Sequence, residues 1–311
     1  ALWSPVYDPY FEQTAVTFLK TPHPDFIPSP IPLLLPTHKV TVSHNNLILT
    51  SNLRHTILHE LHNNPLKKKL LNDNKWSDKI FNRVHWDAFR LAMSSISRSH
   101  QISIWKLTNG LWNTNEQNSK FYGTSNKCPF CSSPETLSHI FTCGSSKATS
   151  YRQEAIKEFQ QKLDKLKTHS NIAEAIVSGL DQWALSSGGA SPTIVPFRGS
   201  INSMEVLITR AFIEQQTDIG WLQFLQGKVS KYWVEAHKLS LTKSHDTTKS
   251  ALQWGKQLIL EVWFLSKMIW EHRNKEIHGN SIQEVKEKSK QKLEKQNQQT
   301  TNHKQRQIIT K

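Results

Sequence analysis

The cysteines restrict this chain more than any other feature. All three fall within Lys127–Gly144, which reads K-C-P-F-C-S-S-P-E-T-L-S-H-I-F-T-C-G. Cys128, Cys131, His139 and Cys143 follow the spacing C-x2-C-x7-H-x3-C. Three thiolates and one imidazole are the four donors that a Zn2+ ion takes in a tetrahedron, and a closed set of four is structural rather than catalytic. Cys128-Pro129-Phe130-Cys131 reads as a tight knuckle presenting two sulfurs to one point. Ser133 reads as an N-cap, with Pro134 at the first helical position and Glu135 in the first turn. On a helix that starts there, His139 and Cys143 are four residues apart and share a face. Leu137, Ile140 and Phe141 turn to another side, and Gly144 sits where a helix commonly stops. Three buried thiols beside an incidental histidine would be the plain alternative. The gathering of every cysteine into one knuckle-and-helix pattern favours the metal.

Around this module the sequence reads as helical. Gly is scarce at 11 residues, which argues against a sandwich or barrel with many tight turns. Residues 1–36 form a proline-rich extended arm, because Pro22, Pro24, Pro28, Pro30, Pro32 and Pro36 forbid a helix or a central strand. Residues 37–187 hold a β-hairpin (Lys39–Thr50, turning at Asn45-Asn46), a series of helices and the zinc module. The helices are expected from Asn52 to Asn63, over Pro65–Asn72, after Ser77, over Trp86–Ser97 and over Ile102–Leu111, followed by a polar loop into the knuckle. Helices over Ala148–Lys167 and Ile172–Leu185 come next. Residues 188–200 read as a linker between two helical lobes. Residues 201–280 form a helical C-terminal domain, with helices over Met204–Thr217, Trp221–Leu239 and Ser250–His278. The last carries a broad apolar stripe of Leu252, Ile259, Val262, Trp263, Ile269, Trp270 and Ile277. Residues 281–311, with eight Lys/Arg against three Glu, read as a basic polar tail, partly disordered.

The net charge is +14 and the pI about 9.6, which suits a polyanionic partner, nucleic acid before membrane. Residues 52–108 carry ten Lys/Arg against four acids, with Trp76, Trp86, Trp105 and Trp112 in or beside them. Lys67, Lys68, Lys69, Arg83, Arg90, Lys106 and Lys127 are the candidate phosphate contacts. The tryptophans read first as core. No run of eighteen apolar residues occurs, so no membrane helix is expected, and residues 1–20 lack the form of a secretory signal. Thiols in a metal site point to a reducing compartment, nuclear or cytoplasmic. A start at Ala1 rather than Met reads as a fragment of something longer.

Three blocks in order carry a family resemblance: Trp76…Phe81…Val84-His85-Trp86…Ala92; Lys106…Gly110-Leu111-Trp112…Thr114; and the Cys128/Cys131/His139/Cys143 finger. Together they resemble the region after the polymerase domain in non-LTR retrotransposon reverse transcriptases, most specifically over 75–152. The finger resembles that family's zinc-binding module, although many such fingers have four residues between His and the last Cys, where this one has three. A looser similarity covers Gln216…Trp221…Trp233 and Trp270…Gly279. The resemblance implies a part that holds element RNA or target DNA, with an upstream polymerase domain of the same polyprotein as its partner.

The chain itself has no adjacent Asp-Asp pair, no phosphate-binding loop of the GxxxxGK[ST] type, no G-x-S-x-G and no HExxH, so no catalytic residue is assigned. Two other readings are an all-helical protein-interaction scaffold and a HEPN-like ribonuclease. The second rests on Arg273 and His278, which fit its R-x4-H signature.

Overall fold

A computed structural model describes residues 42–44, 47–49, 65–186, 203–241 and 247–279, with 283–284, 286–287 and 290. The proline-rich arm, the helix expected from Asn52 and the linker at 188–200 lie outside the described residues, as does most of the tail. The chain divides into two compact units, residues 1–76 and 77–311. In the first, strands β1 (Val42–His44) and β2 (Leu47–Leu49) pair antiparallel, with Val42 opposite Leu49 and His44 opposite Leu47. The turn residues of the expected hairpin, 45 and 46, lie outside the described residues. Residues 65–74 are helical and end at Lys75, whose φ is +54°.

The regular elements described in the second unit are helices. Its helices are α1 (Asp78–Phe81), α2 (Trp86–Ser95), α3 (Arg98–Thr108), α4 (Asn115–Tyr122), α5 (Leu137–Thr142), α6 (Ser146–Lys165) and α7 (Ser170–Leu185). Then come α8 (Ser203–Ile213), a π-helical turn (Glu214–Ile219), α9 (Trp221–Leu225), α10 (Lys231–Ser240) and α11 (Thr247–His278). At about 1.5 Å per residue, the 32-residue α11 is the longest element among the described residues. Its buried residues recur every three or four positions: Ala251, Trp254, Leu258, Val262, Leu265, Ile269 and Arg273. That stripe meets α2, α10, α6, α9 and α5. An aromatic chain from Phe81 through Trp86 and Phe89 to Trp263 joins α1 and α2 to it.

Helices from both sides of residues 188–200 therefore share one core. The sequence reading of two lobes there rests on the linker's composition. It does not see that α7 packs on α8, or that α11 lies across α2 and α6. A polar, glycine-rich connection is compatible with either arrangement.

Three helices depart from expectation. The segment before the knuckle forms α4 rather than a loop, capped by Thr114, whose hydroxyl accepts from Gln117 N–H, and closed by Gly123 at φ +62°. The helix expected to run to Thr217 widens into a π-turn at Glu214. The helix expected over Trp221–Leu239 breaks at Gly227, whose φ is +87° and whose Cα faces the Trp263 indole so closely that a Cβ would lie 2.5 Å from Nε1. Neither a left-handed residue nor that approach is compatible with a continuous helix carrying a side chain there.

Candidate metal centre

The knuckle is closed by backbone hydrogen bonds. Cys128 N–H donates to Ser133 O (2.7 Å), Ser132 N–H to Cys128 O (3.1 Å) and Glu135 N–H to Asn126 O (2.8 Å). Ser132 takes the positive φ, +63°, that lets the chain turn back on itself. Phe130 N–H points at the Cys128 sulfur, 3.4 Å away. The helix carrying the histidine starts later than the sequence implies. Its N-cap is Thr136, whose hydroxyl accepts from His139 N–H at 3.0 Å, and Ser133-Pro134-Glu135 remain outside it. Cys143 is not in the helix but at its C-cap, with φ −58° and ψ 124°. Its carbonyl accepts from the buried Arg152 guanidinium at 3.0 Å, and Ser145 caps α6 immediately after.

These elements bring the four residues together. The ligand atoms of Cys128, Cys131, His139 and Cys143 all lie within 4.8 Å of one another, so the group could hold a metal ion. Cys128 and Cys143 sulfurs are 3.9 Å apart, and Cys131 sulfur is 3.2 Å from His139 Nε2. An ion bound tetrahedrally at about 2.3 Å from sulfur spaces two sulfurs about 3.8 Å apart, so the observed edge fits. Cys128 and Cys143 are buried, whereas Cys131 is exposed.

Burial pushes the Cys128 thiol up to about 12, with Cys143 adding to the rise, and a cation at the centre would reverse that. At Cys131 burial acts upward too, but hydrogen bonds from Ser133 and the neighbouring thiols hold the thiol below its ordinary value. Burial lowers the His139 pKa against the pull of Glu135, favouring the neutral imidazole that a metal takes.

A second layer fixes this module to the helical body. Glu135 is fully buried; its carboxylate accepts from Arg273 Nε at 2.9 Å and from Arg273 Nη2, and from Asn115 N–H at 2.7 Å. The charge also lies at the start of α4, where it meets the helix's positive end. Arg273 reaches Asn115 Oδ1 at 3.2 Å, and Asn115 Nδ2 donates to Lys127 O at 2.7 Å. Phe130 stacks on His272, which stacks on Tyr151 at 3.7 Å, while Trp112 stacks on Trp270 at 4.7 Å. No family model matches the chain. Comparison with curated proteins and with solved structures returns no similar one either.

The candidate phosphate contacts are not equivalent. Arg83 is not a free cation: it pairs with Glu214 (3.2 Å) and with Asp218, its side chain 18% exposed, and so fixes the π-turn against the start of α2. Arg90 is exposed beside Asp87 at 3.8 Å. Lys106 and Lys127 are exposed in the second unit. Lys67, Lys68 and Lys69 lie on the 65–74 helix of the first, where Lys69 pairs with Asp73. Of the tryptophans, Trp76 and Trp112 are buried, Trp86 is half-buried with its indole N–H on Phe81 O, and Trp105 is 36% exposed. Arg273, one half of the ribonuclease signature, is 4% exposed and committed to Glu135, while His278 is exposed. That burial removes the arginine from any phosphate. Glu135 and Asn115, which decide how the module docks, are ordinary polar residues in the sequence. The only sequence signal is an acid placed among cysteines.

Proposed function

We propose that the chain is a zinc-stabilised, non-catalytic nucleic-acid-binding portion of a retrotransposon reverse-transcriptase polyprotein. The ion is zinc, because three thiolates and an imidazole gathered within 4.8 Å of one another supply the four N/S donors that zinc takes in a structural site. Its role is structural: it fixes the knuckle on α5, and Glu135 carries that order to α11. The observation that supports this reading is a set of four ligand atoms within 4.8 Å of one another, two of its cysteines buried, in a chain with net charge +14. The order of blocks over 75–152, similar to the post-polymerase region of non-LTR retrotransposons, supplies the affiliation. RNA or DNA is then the partner, an upstream polymerase domain supplies the catalysis, and a reducing compartment, nuclear or cytoplasmic, keeps the thiols available.

Titration of the zinc-loaded chain with RNA and DNA at several salt concentrations tests the reading. Log affinity should fall linearly with log salt, with a slope of roughly 0.7 to 0.9 per phosphate neutralised. An affinity indifferent to salt, or no binding at low salt, would refute it and favour the protein-interaction scaffold.

A further inference from the structure

Helix α4 is unusual in what it leaves uncovered. None of its eight residues is buried, so it adds nothing to the core. Its base is fixed: Asn115 N–H and Glu116 N–H donate to Glu135, and Asn115 Nδ2 donates to Lys127 O. Its far end carries Phe121 and Tyr122, 75% and 76% exposed, with ring centroids 6.4 Å apart. Gly123 then ends the helix in the left-handed region and returns the chain to the knuckle. Two adjacent aromatic side chains kept in water on a short, anchored helix are an unfavourable use of apolar surface unless something covers them.

The charge around the pair indicates what does. From Gln117 to Pro134 there is no acidic residue; Lys120 directly precedes the pair in the sequence, and the exposed Lys127 lies on the return segment, five residues after Tyr122. Glu116 pairs with Lys120 at 3.1 Å, a solvent-exposed i,i+4 contact weak enough for a phosphate to replace, unlike the buried pairing of Arg83, and Glu135 is buried against Arg273. A partner matched to this end of α4 offers flat π-faces beside negative charge at close spacing. A single nucleic-acid strand has both, since its bases are free to stack on aromatic rings while its phosphates meet lysines. A duplex keeps its bases stacked inside and offers only the phosphates.

We propose that Phe121 and Tyr122, with Lys120 and Lys127, form a stacking platform for single-stranded nucleic acid beside the metal module. This rests on the nucleic-acid reading above and adds the strand state and the contact residues.

The test compares the zinc-loaded wild type with a Phe121→Ala/Tyr122→Ala variant, using fluorescence anisotropy with oligothymidylate and with a duplex of equal length. Affinity for the single strand should fall about ten-fold or more for each base that loses its ring. Affinity for the duplex, zinc content and melting temperature should stay at wild-type values, because neither ring is buried. Phe121→Trp/Tyr122→Trp should keep single-strand binding. An unchanged single-strand affinity in the alanine variant, or an equal loss on the duplex, overturns the platform while leaving the nucleic-acid reading intact; the pair then belongs to a protein partner. A wild type that binds neither polymer overturns both.

Discussion

Replacing Arg273 by methionine removes one half of a buried ion pair and leaves the other in place. Glu135 has no exposed surface and Arg273 is 4% exposed, so water cannot substitute for the lost guanidinium. The carboxylate loses Arg273 Nε and Nη2 and keeps only the N–H of Asn115, while Asn115 Oδ1 loses its own donor. Breaking such a pair from one side costs about 3–5 kcal/mol. For a unit of this size that is a melting-temperature drop of roughly 6–20 °C. Thermal unfolding followed by circular dichroism reads it, with Glu135→Gln and the double variant completing a thermodynamic cycle. The double variant should lose clearly less than the sum of the singles, because the stranded charge is then absent. Zinc content should remain one per chain in all three, since none of the four ligands has changed. Singles that melt like the wild type, or strictly additive losses, would refute the argument that this pair fixes the module to α11.

Other outcomes follow from the same geometry. Cys131→Ser should abolish zinc binding by metal analysis, and chelation should destabilise the wild type, with up to about 10 kcal/mol of local folding energy at stake. Zinc affinity should fall as pH falls, because binding displaces the proton that burial keeps on Cys128. His237 is buried against Trp254, with its pKa lowered to about 4 by desolvation and by His169, against about 6.5 when unfolded. Between pH 6.5 and 4 only the unfolded chain takes up that proton. Stability should therefore fall with pH through this window, by at most about 1.4 kcal/mol per pH unit, and His237→Phe should flatten the fall in urea titrations. Gly179→Ala should cost about 3 kcal/mol in the same assay. Its Cβ would lie 2.0 Å from Trp221 Cζ2, on an indole that Gln216 holds in place at 2.7 Å. Arg83→Ala should lower the melting temperature and leave the salt slope unchanged, whereas Lys106→Ala/Lys127→Ala should reduce the slope.

Helical fold class, the extent of α11 and the identity of the four clustered residues were legible in the sequence because each depends on short-range spacing. A stripe every three or four residues fixes which face of α11 is buried, and Cys-x-x-Cys with His-x3-Cys fixes which side chains can meet. The break at Gly227 and the π-turn at Glu214 were not legible. The first depends on the Trp263 indole and the second involves Arg83, partners distant in sequence. The role of Glu135 is hidden from the sequence for the same reason. Beside Pro134 it has the form of a first-turn acid, but tertiary packing places it opposite Arg273, 138 positions away. Local spacing decides what a segment can become. Which buried charge meets which, and whether a cation such as Arg83 is left for a partner, is decided only when desolvation forces each one to find a counter-charge.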